Sequence, residues 1–207
     1  ALISFGMTFV ILTGGIDLSV GSILALSSAI MGSMIKGGMD PIFSIVLACL
    51  IGAVLGAVNG LIITKGKVAP FIATLATMTI FRGATLVYTN GNPISGLTDD
   101  ELFHTFGQGY FLELPVPAVM MLLMFGILYF VLHHTTLGRK TYAVGGNEKV
   151  SFIAGIKIDR IKLFAYTITG MLCGMAGAII TSRLNSAQPT AGTGYELDAI
   201  AAVVLGG

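Results

Sequence analysis

Apolar residues in this chain fall in long continuous stretches rather than at the spacing of a half-buried helix or strand. Residues 41–64 and 114–132 contain no charged side chain. Each stretch could cross a hydrocarbon core of ~30 Å, which takes about 20 helical residues. Apolar segments occupy residues 2–35, 42–64, 68–89, 114–133 and 163–182, and another starts near Leu197. The first is unusual, because its centre reads Thr13-Gly14-Gly15-Ile16-Asp17-Leu18-Ser19-Val20-Gly21. Unwound backbone at membrane depth is tolerated only where protein or a water-filled cavity covers it. A discontinuous helix facing the bundle interior is therefore predicted. The fold class is all-α: a polytopic helical membrane protein, expected to form one transmembrane domain over residues 1–207. Both ends lie inside apolar runs, so further segments are expected beyond them.

The polar connections set an orientation. Residues 135–162 hold Arg139, Lys140, Lys149, Lys157, Arg160 and Lys162, six of the eleven basic residues. Residues 90–113 hold Asp99, Asp100, Glu101 and Glu113 and no Lys or Arg. The positive-inside rule puts the first connection in the cytoplasm and the second outside. By parity the Lys65-Gly66-Lys67 turn falls inside, and the Gly37-Gly38 turn and residues 186–198 fall outside.

Composition supports the membrane reading and narrows the chemistry. Of 207 residues, 55% are hydrophobic and only 10% charged, against about 25% charged in soluble domains. A net charge of +1 gives no electrostatic footing for nucleic acid. Cys49 and Cys173 lie far apart in apolar segments and read as small buried hydrophobes. His133 and His134 end a helix, where interaction with its C-terminus accounts for them. Neither a catalytic constellation nor a phosphate-cradling Gly-x-x-x-x-Gly-Lys-Ser/Thr loop is present. The chain is expected not to be an enzyme and to carry no cofactor or metal.

Small residues recur every fourth position at Ala48, Gly52, Gly56 and Gly60, and again at Gly170, Gly174 and Ala178. Such rows let helix backbones approach closely; the partner helix could belong to this chain or to a second copy. Asp17 is the one acid deep in an apolar segment, where a carboxylate costs about 2.5–3.5 kcal/mol. It could line a substrate path with Thr13, Ser19 and Ser22, or cap the following half-helix. Arg82 needs backbone carbonyls or a facing acid, and Arg183 reads as an interfacial anchor.

In the basic connection, Phe152, Ile153 and Ile156 could form the apolar face of a short helix capped by Asn147. Such a helix could lie on the membrane or dock in a partner's groove. Gly145-Gly146-Asn147-Glu148 followed by Ala154-Gly155-Ile156 resembles the cytoplasmic coupling loop of binding-protein-dependent ABC permeases. Lys149-Val150 departs from the two alanines that often follow the glutamate. Residues 6–22 are similar to the signature of the sugar-importing branch. Within that branch, residues 71–75, 88–91 and 186–200 look most like the ribose-importing permeases.

The resemblance implies a translocation subunit of an ATP-driven importer in the bacterial inner membrane. Gly145, Gly146, Asn147, Glu148, Ala154 and Gly155 would contact a cytoplasmic ABC ATPase, which would hold the ATP. A sugar-binding protein would deliver substrate outside, and a second permease copy would complete the path. Tyr195, Glu196 and Asp198 would form an outer gate or binding-protein contact, or else a capped turn. The rival reading is an ion-coupled secondary sugar transporter with Asp17 as its ion site.

Overall fold

The computed structural model describes residues 1–206. Its helices are α1 (Leu2–Leu12), α2 (Val20–Lys36), α3 (Pro41–Thr64), α4 (Pro70–Thr89), α5 (Glu101–Gln108), α6 (Val116–His134), α7 (Thr136–Gly146), α8 (Glu148–Ile153), α9 (Ile158–Leu184) and α10 (Tyr195–Gly206). Two-residue strands β1 (Ile94–Ser95) and β4 (Ser186–Ala187) pair antiparallel, as do β2 (Tyr110–Phe111) and β3 (Leu114–Pro115). Four helices, α3, α4, α6 and α9, are long and apolar enough to cross a membrane. The protein is an all-α, multi-pass membrane protein, as its sequence predicts.

The first apolar segment is interrupted where its glycines and polar residues predict, between Leu12 and Val20. Its two arms, however, run in opposite directions along α9. Gly6 packs on Thr169, Phe9 meets Phe164 edge-on at 6.1 Å, and Gly15 lies against Tyr166, so α1 descends α9. Leu24 and Ser28 pack on Gly177, and Gly32 packs on Ala187, so α2 climbs it. The break is thus a reversal, with Gly14 in the left-handed region at φ +76°, where glycine carries no Cβ penalty.

Both rows of small residues face each other within this one chain. A Cβ on Gly52 would overlap the Gly170 carbonyl oxygen, one on Gly56 the Tyr166 carbonyl, and one on Gly174 the Ala48 carbonyl. Close backbone approach of this kind replaces the hydrophobic drive that lipid does not supply between helices. Around this pair, Met7, Phe9, Val20, Ile23, Leu24, Tyr166, Leu172 and Cys173 form a fully buried core. The opposite side of α3 exposes Phe43, Val46, Leu50 and Val54, as a lipid-facing surface does.

The two ends of the bundle separate as the charge pattern predicts. At one end Lys65 pairs with Asp159 at 3.0 Å, joining the α3–α4 turn to the foot of α9. At the other, Lys36 donates to the Ser95 carbonyl at 3.2 Å, and β1 pairs with β4. The basic connection is itself mostly helical, since α7, α8 and the first turn of α9 fill it. The acidic connection also folds: Asp100 caps α5 by accepting from Phe103 N–H at 3.0 Å, and the Phe103 carbonyl in turn accepts from Ser182 Oγ.

Candidate translocation and coupling sites

Thr13, Asp17, Ser19 and Ser22 come together in the reversal between α1 and α2, each no more than 2% exposed. Asp17 Oδ1 accepts from the Ser19 amide at 2.8 Å and from Ser19 Oγ at 2.6 Å. Ser19, rather than Asp17, is the N-cap of α2, so the carboxylate holds an amide just outside the helix. Asn59 on α3 donates from Nδ2 to Ser19 Oγ at 2.7 Å. Thr13 and Ser22 donate to the carbonyls of Val10 and Ser19, both at 2.8 Å, which turns them back on their own backbone. The Ile16 carbonyl accepts from Thr74 Oγ1 at 3.3 Å and Tyr166 OH at 3.4 Å. Helices α4 and α9 therefore each supply a hydroxyl to the unwound backbone at Ile16, while α3 supplies the Asn59 amide to the Ser19 side chain. Two buried acceptors, Asp17 Oδ2 and Asn59 Oδ1, are left with hydrogen-bonding capacity to spare.

Arg82 finds its partners in backbone carbonyls: Nη1 donates to Pro189 and Ala191, each at 2.9 Å. These anchor a segment that dives inward from the outer end. Ala187 sits at Gly32, whereas Gly192 packs on Gly21, so close that neither glycine could carry a side chain. The spacing along α2 corresponds to a descent of ~16 Å at 1.5 Å per residue. Residues 188–194 are thus re-entrant rather than a wholly outer connection, and α10 begins at the depth of the reversal. Tyr195, Glu196 and Asp198 form its first turn, where acids suit the positive end of the helix dipole. Glu196 Oε1 accepts from the Gly194 amide at 3.3 Å, while Tyr195 and Asp198 are exposed.

On the basic end, Asn147 caps α8 by accepting from Val150 N–H at 3.1 Å. Gly145 abuts the Leu12 carbonyl with no room for a Cβ, which seats α7 on the foot of α1. Gly155, at φ +78°, closes α8, and the Ile156 amide donates to the Ser151 carbonyl at 3.0 Å. Glu148 is ion-paired with Lys162 of α9. Only Ser151 of α8 is buried, while Phe152 and Ile153 stand 74% and 84% exposed beside Ala154.

The family described as "Branched-chain amino acid transport system / permease component" matches residues 1–207. This chain belongs to that permease family. It is 68% identical over 206 residues to the ribose import permease protein RbsC of Bacillus subtilis (strain 168), covering 100% of this chain and 64% of that protein. It is 51% identical over 209 residues to the RbsC protein of Escherichia coli (strain K12), covering 100% and 65%. Identity to the D-allose transport system permease protein AlsC of the same strain is 41% over 207 residues, covering 100% and 63%. The chain thus spans somewhat less than two thirds of the length of these relatives. No solved structure gives a significant match.

Three partners in this permease escaped the reading of motifs: Asn59, Thr74 and Tyr166. Asn59 did leave a signal, as the one amide in the uncharged stretch Pro41–Thr64 and next to a row of small residues. Thr74 lay within residues 71–75, which carried part of the resemblance, but nothing there marked it as a partner. Tyr166 left no signal, because hydroxyls are unremarkable in apolar helices, where they bond to their own backbone.

Proposed function

We propose that this chain forms the membrane-crossing permease domain of an ATP-driven importer of ribose or a closely related monosaccharide. The observation that carries the reading is the free apolar surface of α8. Phe152 and Ile153 project from a capped, ion-paired helix on the basic end of the bundle. A six-residue helix has little stability of its own, and apolar side chains held outward on it suit a groove in a cytoplasmic ATPase. Similarity to sugar permeases, reaching 68% identity to a ribose import permease, supports the choice of substrate class.

Substrate would pass beside the reversal between α1 and α2, lined by Thr13, Asp17, Ser19 and Ser22, whose oxygens can exchange hydrogen bonds with sugar hydroxyls. Gly145, Gly146, Asn147, Glu148, Ala154 and Gly155 would form the ATPase contact. The first turn of α10, with Tyr195, Glu196 and Asp198, would act as the gate toward a sugar-binding protein, and a second copy of the permease would complete the path. ATP would bind on the ATPase and not on this chain, which performs no covalent chemistry. Two conformations would be driven by their different affinities for the nucleotide-bound partner.

The test is uptake of labelled ribose into vesicles holding the full-length permease, its ATPase and its binding protein. ATP-dependent uptake that falls when Ile153→Asp is introduced is the expected result. Uptake that follows a proton or sodium gradient without ATP would replace this reading with an ion-coupled transporter.

A further inference from the structure

Beside the foot of α9 a cleft of 770 Å³ opens between the α3–α4 turn and the α8–α9 connection. Five basic and two acidic residues line it. Both acids are already engaged, Asp159 with Lys65 and Glu148 with Lys162. Lys67, Lys157 and Arg160 are exposed, and no salt bridge engages them among the described residues. Three uncompensated cations therefore surround one opening. Its other wall is apolar, formed by Ile63, Pro70 and Ile158 at the ends of α3, α4 and α9, by Val68 in the turn between α3 and α4, and by Phe152 and Ile156. Apolar helix ends meeting basic side chains mark the depth at which hydrocarbon gives way to headgroups.

We propose that this cleft binds the headgroup of an anionic phospholipid of the inner leaflet. The cations would meet the phosphate and the apolar wall the first carbons of the acyl chains. Basic pockets between helices on the cytoplasmic side are suited to anionic headgroups. A free phosphate would use the cations but leave the apolar wall without a purpose. An acidic protein surface would meet the same cations but has no acyl chain to lay on Val68 and Pro70. The cleft shares Glu148, Phe152 and Gly155 with the ATPase contact proposed above, so lipid and ATPase would meet along one edge of it; the inference does not depend on the transported substrate.

Full-length permease, purified alone and stripped of lipid, is titrated with phosphatidylglycerol, phosphatidylcholine, inorganic phosphate or a polyglutamate peptide. Binding is followed by native mass spectrometry and by thermal midpoint. Retention of phosphatidylglycerol with a raised midpoint, and no response to the other three, is expected. The double variant Lys67→Gln/Arg160→Gln should lose that preference, by about fivefold in affinity for each charge removed. The single variant Lys157→Gln, which leaves the two ion pairs untouched, gives the same readout should the double variant fail to fold. Equal response to phosphate or to polyglutamate would overturn the lipid assignment in favour of a free-anion or a protein-docking site. Undiminished preference in the variants would place the lipid elsewhere and overturn it as well.

Discussion

Asn59 Nδ2 lies 2.7 Å from Ser19 Oγ and donates to it, and Ser19 Oγ donates in turn to Asp17 Oδ1 at 2.6 Å. This relay ties α3 to the reversal between α1 and α2 and gives the buried carboxylate a donor that is itself held in place. Loss of one member leaves a buried group unpaired, which costs about 1–3 kcal/mol.

Asn59→Ala should therefore lower the thermal midpoint of the detergent-solubilised protein by several degrees and reduce transport. Asn59→Asp should do worse, because it sets a second carboxylate beside Asp17. A midpoint unchanged by either substitution would show that the relay does not hold the reversal.

A single methyl group separates structural glycines from incidental ones. Gly52→Ala would drive a Cβ into the Gly170 carbonyl, whereas Gly126→Ala on α6 meets nothing within 4 Å. Overpacking a close backbone contact costs about 1–3 kcal/mol, so Gly52→Ala should depress the yield of monodisperse protein on gel filtration while Gly126→Ala leaves it intact. Equal yields would mean that α3 and α9 can separate without consequence.

Arg82→Gln should free the re-entrant segment. Two hydrogen bonds from a charged donor are lost, each contributing about 1.5–3 kcal/mol. A cysteine placed at Ala191 should then react with a maleimide at least about tenfold faster than in the Arg82 background. An unchanged rate would show that the segment holds its depth through Gly21 and Gly192 alone.

Charge reversal at Glu148 tests the basic end. Glu148→Arg faces Lys162 and should weaken co-purification with the ATPase without impairing membrane insertion; adding Lys162→Glu restores the ion pair but not the carboxylate at 148, and should not recover binding. An exposed ion pair contributes little to overall stability, about 0–1 kcal/mol, so the midpoint should barely move. Recovery of binding by the double variant would show that Glu148 acts only through Lys162 and does not touch the partner itself.

Long-range charge and length patterns were fully legible in the sequence. Uncharged stretches gave α3 and α6, the basic residues from Arg139 to Lys162 marked one end, and the Gly14-Gly15 pair marked the interruption. Less legible was anything that depended on direction or depth. Nothing in residues 13–19 distinguishes a kinked span from a reversal, because both need glycine and side-chain partners for freed backbone groups. Segment boundaries drifted for a related reason: α9 starts at Ile158, five residues before the apolar run at Leu163, since helix continues past the hydrocarbon. The site divides in the same way. Asp17 was conspicuous as a lone acid, and the Asn147 cap followed from position, but the partners of Arg82 are main-chain carbonyls more than a hundred residues away and carry no side-chain signature.

Helix α9 runs without interruption from Ile158, beside the ion-paired foot of α8, to Leu184, next to the Ser182 anchor of α5. At ~40 Å it outreaches the hydrocarbon layer, and its close seam with α3 leaves it little freedom to bend. Locked to α3 along that seam, α9 could shift only together with it, so a displacement imposed at Lys162 would be carried by both helices to Ser182 at the opposite end, where α5 is anchored.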